Sequence, residues 1–265
     1  MISMPTVARR GLLPILLLSA FMPLAILMLV SVGRDWFFPA LLPGTIDLTG
    51  WRTVLGSGAR LRPALIASGV LAVATGVAAM VFGAFAGSAI ASARGWRRVV
   101  GAGAAFLPVA APPVAVATGL HATLLGAGLG SSIVGVFIAH LVPACGYTTL
   151  YFLGVFTVRE GGFEDAARTL GAGVLDVIRR VTIPMMRREL LEAVLLGAIV
   201  SWGQVALTLV AGGGRVRTLP LEVMDYLMAG QDQLAATGSL LLAIPPLIAF
   251  GVLRLALRNV EMVLP

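Results

Sequence analysis

Few residues in this sequence have the types and spacing that catalysis or metal binding requires. The two histidines, His121 and His140, lie on different segments without a carboxylate cluster beside them, so they do not predict a metal site, and His140 is expected to be hydrogen-bonded in the core. The single cysteine, Cys145, has no second thiol for a disulfide or a thiolate metal site. The sequence contains no lysine, which a Walker-type phosphate loop requires, and its apolar runs contain no catalytic triad or paired-carboxylate arrangement. We therefore expect this chain to be no enzyme, to have no ATPase site and to bind no cofactor.

Polar side chains recur at helical spacing inside two apolar runs. Ser201, Gln204 and Thr208 lie at positions i, i+3 and i+7, which is one face of a continuous helix. Tyr147 and Tyr151 are four residues apart in the preceding run. Polar groups are expensive in lipid and usually face the protein interior or a transport route. We interpret these residues as candidates for lining a pathway, and the alternative is hydrogen bonding between helices.

The composition indicates the medium that surrounds these residues. Of 265 residues, 58% are hydrophobic and only 12% are charged, and the mean hydropathy is +0.98. A soluble domain carries about 25% charged residues, so a water-soluble enzyme is excluded. At about 20 apolar residues a span, the chain holds roughly six transmembrane helices and predicts an all-α, polytopic membrane protein. The apolar runs are residues 11–33, 64–91, 99–120, 133–158, 191–210 and 237–257.

The arginines predict the orientation of the spans. All 19 basic residues are arginine, and with 12 acidic residues they give a formal net charge of +7. In a six-span arrangement, 13 arginines fall on the side that holds both termini and the other 6 fall on the opposite side. The positive-inside rule therefore predicts that both termini are cytoplasmic. Because topology explains the basic excess, we expect membrane lipid and no nucleic acid as a partner, and a single transmembrane permease domain over residues 1–265.

Glycine and proline predict where the spans cross and bend. Gly83 and Gly87 are four residues apart, which permits a close helix crossing. Pro108, Pro112 and Pro113 predict a kink in the third span. After the fifth run, residues 219–230 predict a short amphipathic helix that lies against the membrane or packs as a lid. Its apolar positions are 220, 223, 224, 227 and 228.

The long loop at residues 159–190, between the fourth and fifth runs, has the features of an exposed helical elbow. Glu164 and Asp165 can start a helix, and Glu164 can pair with Arg168 one turn later. Gly171 can end this helix in a left-handed conformation. A second helix over residues 174–181 carries one apolar stripe, made of Val174, Val177, Ile178 and Val181. The alternative is a solvated loop whose arginines only determine topology.

The spacing of this loop resembles the EAA loop of bacterial ABC importer permeases, written E-A-A-x3-G-x9-I-x-L-P. Here Asp165-Ala166-Ala167 is followed after three residues by Gly171, and after nine more by Val181-Thr182-Ile183-Pro184. The departures are Asp165 for the family glutamate, Val181 for its isoleucine and Ile183 for its leucine. The residues that agree outright are Ala166, Ala167, Gly171 and Pro184. Glu164, just before the motif, is the alternative holder of the acidic role.

The resemblance implies a fold like that of Type I ABC importer permeases, with six spans in the bacterial inner (plasma) membrane. In that family the permease forms the pathway for a solute, here a small polar one, that an extracytoplasmic substrate-binding protein delivers. The coupling loop docks onto an ABC ATPase dimer, which binds the ATP and Mg, and a second permease subunit, identical or different, completes the assembly. The stretch from Gly212-Gly213-Gly214 through Thr218-Leu219-Pro220 to Gly230 is similar to permeases of the polyamine, ferric-iron, thiamine and aminoethylphosphonate group.

The alternative function from a different class is a self-sufficient secondary transporter or channel. Acidic residues for ion coupling are scarce inside the apolar runs, and no inverted repeat is detectable, which argues against this alternative. A membrane-embedded enzyme is disfavoured because the runs contain no catalytic set.

Overall fold

The computed structural model describes residues 6–36, 39–56, 60–159 and 162–261, and these are almost entirely helical. Within them the strand structure is a two-residue antiparallel pair, Gly33–Arg34 with Thr45–Ile46. The predicted all-α class is confirmed. The helices are α1 (Thr6–Val32), α2 (Thr49–Leu55), α3 (Leu61–Ser92), α4 (Trp96–Ala110), α5 (Pro113–Gly126), α6 (Ile133–Val158), α7 (Gly162–Thr169), α8 (Val174–Val177), a π-helical turn (Ile178–Thr182), α9 (Ile183–Met185), α10 (Arg187–Trp202), α11 (Ala206–Gly212), α12 (Leu219–Met228) and α13 (Asp232–Glu261).

The apolar helices coincide with the predicted runs. Helices α3, α6 and α13 are each long and apolar enough to cross a membrane. The pairs α4–α5 and α10–α11 meet the same requirement when each pair is taken together. Helix α1 covers the first predicted run, and its residues Phe21–Val32 form a further apolar segment. The multi-span membrane architecture is therefore confirmed.

The third predicted span is a sharply bent helix pair. Between α4 and α5 the chain turns by 101°. Ala111 is extended, with φ −69° and ψ 138°, which is the conformation that a following proline favours. Pro112 and Pro113 then supply no backbone N–H to continue the helix. Pro108 remains inside α4, so the predicted kink is a turn located at the proline pair.

The fifth predicted span is also broken, and here the expectation of one continuous helix is wrong. Helices α10 and α11 meet at 67°. Gly203 ends α10 with φ −88° and ψ 4°, and Gln204 and Val205 connect it to α11. No proline marks this point in the sequence.

Residue contacts divide the chain into two compact units. The first comprises Met1–Ala64 and Leu219–Ile244, and the second comprises Leu65–Thr218 and Pro245–Pro265. The expectation of a single permease domain over residues 1–265 stays a prediction.

In the first unit, the segment after the strand pair packs on the start of α13. The Gln233 side-chain amide donates to the Asp47 carbonyl at 2.7 Å. Thr49 donates its hydroxyl and its backbone N–H to the Asp47 carboxylate, and these hydrogen bonds lower the pKa of that carboxyl. This arrangement holds the start of α2 against α13.

The predicted amphipathic helix is present in the same unit as α12, and Gly230 follows it with φ +67°. Its first residues, from Leu219 to Glu222, are buried. Met224, Leu227 and Met228, which belong to the predicted apolar face, are exposed. The predicted helix is therefore confirmed. Other residues of this chain bury only its first turn.

In the second unit, α6 packs against α4, α10 and α11, and it crosses α3 at very short range. A Cβ on Gly87 would lie 2.9 Å from the Leu153 nitrogen, and one on Gly83 would lie 2.8 Å from the Thr148 carbonyl carbon. Thr148 donates its hydroxyl to the Ala79 carbonyl across the crossing at 2.7 Å. The close crossing predicted from the glycine pair is confirmed.

Candidate functional site

The predicted loop is a helical elbow made of α7, a turn, α8 and the π-helical turn, and its residues 160 and 161 lie outside the described part of the chain. Gly171 has φ +86°, as predicted for the end of the first helix. Its N–H donates to the Arg168 carbonyl at 3.0 Å, and the Ala172 N–H donates to the Ala167 carbonyl at 3.0 Å. These two bonds form a Schellman motif, in which glycine avoids the steric penalty of a Cβ.

The two acidic residues at the start of α7 have different surroundings. Glu164 accepts a hydrogen bond from the Thr182 hydroxyl at 2.7 Å and pairs with Arg159 at 3.4 Å. This pairing replaces the one expected with Arg168, because Glu164 is directed back to the base of the elbow. Asp165 is exposed, so of the two acids it is the one directed to solvent.

Most of the predicted apolar stripe is covered by this chain rather than exposed. Val177 is buried, Ile178 and Val181 are half-buried, and Val174 alone is exposed. A π-helical turn covers Ile178–Thr182. The covered residues Val177, Ile178 and Val181 still recur at helical spacing, so the difference from the prediction is that this side of the elbow packs inward. The exposed apolar side chains of α7, the turn and α8, which we name the elbow surface, are Phe163 (68% exposed), Leu170 (89%), Val174 (67%) and Leu175 (63%).

The end of the predicted motif connects the elbow to the spans. Ile183 and Pro184 are exposed in α9, near a helix start, where a proline loses no hydrogen bond. Met186 follows and is buried against Phe152 of α6, with Leu190 packed beside them. Of the two motif alanines in α7, Ala166 is exposed and Ala167 is half-buried.

The two helix breaks meet at one pocket of about 90 Å³ in the second unit. Its walls include Pro108, Ala111 and Pro113 from the first break, Gln204 and Leu207 from the second, and Tyr147 of α6. The structure thus brings together two of the predicted pathway candidates, Gln204 and Tyr147.

Ser201 and Thr208 do not share a helical face with Gln204, because the break lies between them. Both are buried and both contact the buried His140 of α6: its Nδ1 lies 2.8 Å from the Ser201 hydroxyl and its Nε2 lies 2.9 Å from the Thr208 hydroxyl. Thr208 donates its proton to the Gln204 carbonyl at 2.8 Å. The His140 Nε2 must therefore carry the ring proton, and Nδ1 accepts from Ser201. The expected hydrogen-bonded core histidine is confirmed, and it connects both halves of the broken span to α6.

Tyr151, the remaining pathway candidate, is hydrogen-bonded to α10 and does not line this pocket. Its hydroxyl donates to the Glu192 carboxylate, and the Arg188 Nε donates to the other oxygen of that carboxylate at 2.8 Å. Sequence reasoning missed Glu192. The available signal was an acidic residue inside the fifth run, four residues after an arginine.

The pocket carries the Gln204 amide and the Tyr147 hydroxyl, which can donate and accept hydrogen bonds, and the elbow surface carries exposed apolar side chains. Among the described residues, no three His, Cys, Asp or Glu side chains are grouped to hold a metal ion.

Curated proteins with similar sequences are transport permeases. This chain is 29% identical over 98 residues to the probable transport system permease protein NifC of Clostridium pasteurianum, an alignment that covers 36% of this chain and 34% of that protein. It is 29% identical over 124 residues to the molybdenum transport system permease protein ModB of Mycobacterium tuberculosis, covering 46% of this chain and 47% of that protein. The chain thus spans between a third and a half of the length of these relatives.

The fold also matches solved structures. A bacterial ABC transporter involved in the import of the acidic polysaccharide alginate superposes with a TM-score of 0.69 at 20% identity, over 96% of this chain and 99% of that chain. A bacterial alginate ABC transporter in complex with an alginate pentasaccharide-bound periplasmic protein superposes with a TM-score of 0.62 at 15% identity, over 94% of each chain.

A family model described as "Binding-protein-dependent transport system inner membrane component" matches residues 79–260, well over half of the chain. The matched range includes the close crossing of α3 with α6, the elbow and both helix breaks. The chain therefore belongs to the family of binding-protein-dependent transport system inner membrane components.

Proposed function

We propose that this permease passes a small polar solute through the bacterial inner membrane and that its elbow couples this transport to ATP hydrolysis by a partner ABC ATPase dimer. The observation that carries the proposal is the elbow surface, whose four apolar side chains are each at least 63% exposed. They lie on a short segment outside the predicted spans, together with the exposed Asp165. Contiguous exposed apolar groups are unfavourable in water and mark contact surfaces. An ATPase cleft that covers this surface removes that cost.

The attachment of the elbow supports a coupling role. Glu164 is held at its base by Thr182 and Arg159. Met186, just after the elbow, is buried against Phe152 of α6 and is followed directly by α10. A displacement of α7 would therefore act on α6 and α10 together, as switching between inward-facing and outward-facing states requires.

We assign solute contact to the pocket at the helix breaks. Irregular backbone inside a membrane is tolerated where it lines a cavity, and in many secondary transporters discontinuous helices form the substrate site. The Gln204 amide and the Tyr147 hydroxyl supply uncharged donors and acceptors there, which suit a polar solute. At about 90 Å³ the pocket must widen for passage, so this conformation corresponds to a closed pathway.

The solute is proposed only as a class. One relative is named for molybdenum transport, and the solved neighbours are named for alginate. The likeness of residues 212–230 to permeases of the polyamine, ferric-iron, thiamine and aminoethylphosphonate group stays a prediction.

Two observations support the partners of the proposed assembly. Helix α1 packs mainly on α2 and the adjoining strand, and it leaves Phe21, Met22 and Met28 exposed, as expected if a second permease subunit covers it. The neighbour solved with a periplasmic protein supports an extracytoplasmic substrate-binding protein. The predicted orientation, with both termini in the cytoplasm, puts the elbow on the side where the ATPase binds ATP and Mg.

Two matched substitutions test the coupling role. Leu170 on the elbow surface is 89% exposed, and Leu41 in the loop between the two strands is 90% exposed. Because burying a leucine is worth roughly 1.5–3 kcal/mol, Leu170→Asp should lower the amount of ABC ATPase that co-purifies by about tenfold or more. Leu41→Asp, which introduces the same charge at an equally exposed leucine, should retain the ATPase.

Uptake into reconstituted vesicles completes the test. Solute accumulation should require ATP on the ATPase side and should fall with Leu170→Asp but not with Leu41→Asp. Equal ATPase retention and uptake in the two variants would remove the coupling role from the elbow. Uptake by the permease alone, without ATP, would favour the self-sufficient transporter or channel.

A further inference from the structure

A cleft of about 680 Å³ opens between α3, the end of α6 and the base of the elbow. Its inner wall is apolar and includes Met80, Val81, Ala84, Phe85, Phe156 and Leu190. Its mouth is polar and includes Ser88, Ser92, Arg159, Glu164, Arg168 and Thr182. The proposed solute pathway does not use this cleft, although Arg159, Glu164 and Thr182 at its mouth also attach the elbow in the proposed coupling role.

The cleft has the polarity profile of a phospholipid at the edge of a bilayer. Val81 and Phe85 of the spanning helix α3 are 41% and 68% exposed, so their side chains are accessible to a molecule that packs beside this helix. From Met80 to Ser88 the helix rises by about 12 Å, which is enough for the upper half of an acyl chain. Ser88 and Ser92 donate their hydroxyl protons to backbone carbonyls of α3, so their oxygens remain as acceptors at the mouth.

The charges at the mouth select the headgroup. Among the described residues that line the cleft, Arg159 and Arg168 are accompanied by one carboxylate, that of Glu164, which leaves a formal excess of one positive charge. The Nη1 of Arg159 is buried without a hydrogen-bond partner among the described residues, whereas Nη2 is used by Glu164. Among the described residues, Arg168 also has no ion-pair partner. One phosphodiester would neutralise the excess charge and accept hydrogen bonds from both guanidinium groups.

We propose that this cleft binds one singly charged anionic phospholipid, with its phosphate between Arg159 and Arg168 and one acyl chain along α3. The bound lipid fills the cleft and covers its apolar wall between the spans and the elbow. A zwitterionic lipid carries a second, cationic group that the excess positive charge at the mouth disfavours.

Native mass spectrometry of the detergent-purified permease, with the subunits that co-purify, tests the proposal directly. The probes are phosphatidylglycerol and phosphatidylcholine with the same acyl chains, added in equal amounts. For one uncompensated arginine at a membrane surface we expect wild type to retain phosphatidylglycerol about fivefold over phosphatidylcholine. Arg168→Gln should abolish this preference. Arg179→Gln, which removes the same charge from an exposed elbow position that does not line the cleft, should preserve it.

A second variant separates the cleft from the charge. Ser88→Trp fills the mouth without changing any charge, and it should reduce retention of both lipids. Equal retention of the two lipids by wild type, equal effects of Arg168→Gln and Arg179→Gln, or normal binding in Ser88→Trp would each overturn the proposal. A disulfide in native membranes between a cysteine placed at Phe85 and a second protein chain would also overturn it, since a protein would then occupy the cleft.

Discussion

Replacing Gly171 with valine tests the geometry on which the coupling role depends. Gly171 sits in the left-handed region at φ +86°, between α7 and α8. A Cβ at this position would meet no atom within 4 Å. The substitution therefore creates no steric clash with a neighbouring residue, and its effect is confined to backbone strain.

Backbone strain at residue 171 should lower the population of the native elbow. A left-handed conformation costs an L-residue about 1–2 kcal/mol, and a β-branched side chain lies at the upper end. Helix α7 has no fully buried residue, so little packing energy holds the elbow against this strain. The population of the native elbow should then fall by about 5–30-fold, and the apparent Kd of the ATPase should rise by the same factor.

The chain offers two controls for this substitution. Gly173, two residues away, has φ −67° and ψ 159°, which valine adopts readily, and a Cβ there would meet only the Asp176 carboxylate at 3.9 Å. Gly173→Val should therefore bind the ATPase as wild type does. Gly171→Asn should also bind well, because asparagine tolerates the left-handed region.

The assay is titration of the reconstituted permease with the proposed partner ATPase, together with ATP hydrolysis with and without the proposed binding protein. We expect Gly171→Val to insert into the membrane and to purify normally while it weakens ATPase binding and stimulated hydrolysis. If Gly171→Val, Gly173→Val and Gly171→Asn all bind the ATPase equally, the left-handed turn has no role in docking and the reasoning fails.

Three further substitutions test the crossing, the pocket and the orientation. Gly87→Val should prevent assembly, because its Cβ would lie 2.9 Å from the backbone of α6. Gly103→Val, whose Cβ would meet no atom within 4 Å, should purify as wild type does. Size-exclusion chromatography in detergent distinguishes the two variants, and equal profiles would contradict the close crossing. Gln204→Leu should reduce solute uptake by reconstituted vesicles without loss of the ATPase; loss of assembly instead would make Gln204 structural. A cysteine at Arg168 should react with an impermeant thiol reagent only from the cytoplasm and one at Arg215 only from outside, and the reverse pattern would refute the predicted topology.

Local signals in the sequence predicted the elements that depend on near neighbours. The predicted fourth span, residues 133–158, has the bounds of α6, because an uninterrupted apolar run follows a strong N-cap. Ser132 supplies that cap by accepting a hydrogen bond from the Gly135 N–H at 3.0 Å. The left-handed turn at Gly171 was predictable for the same reason, since its hydrogen bonds reach only three and five residues back.

The features that the sequence did not predict depend on contacts between distant parts of the chain. The break after Gly203 has no proline to announce it, and it is held by His140, which lies 61 and 68 residues before its two hydroxyl partners. Glu164 pairs with Thr182, 18 residues later, rather than with a neighbour on its own helix. The predicted stripe is covered at Val177, Ile178 and Val181 because this side of the elbow packs inward, and the local pattern of the elbow cannot show that packing.

The elbow and the pocket are connected by the two helices that meet the elbow. Helix α10 begins at Arg187, directly after the elbow, and runs for 16 residues, about 24 Å, to the break beside Gln204. Helix α6 ends at Val158, before the elbow, and carries Tyr147 on the opposite wall of the same pocket. Because each helix is continuous between these points, we expect a displacement of the elbow to act on both walls of the pocket in the proposed coupling role. His140 bonds α6 to Ser201 before the break and to Thr208 after it, and these two hydrogen bonds link the two walls.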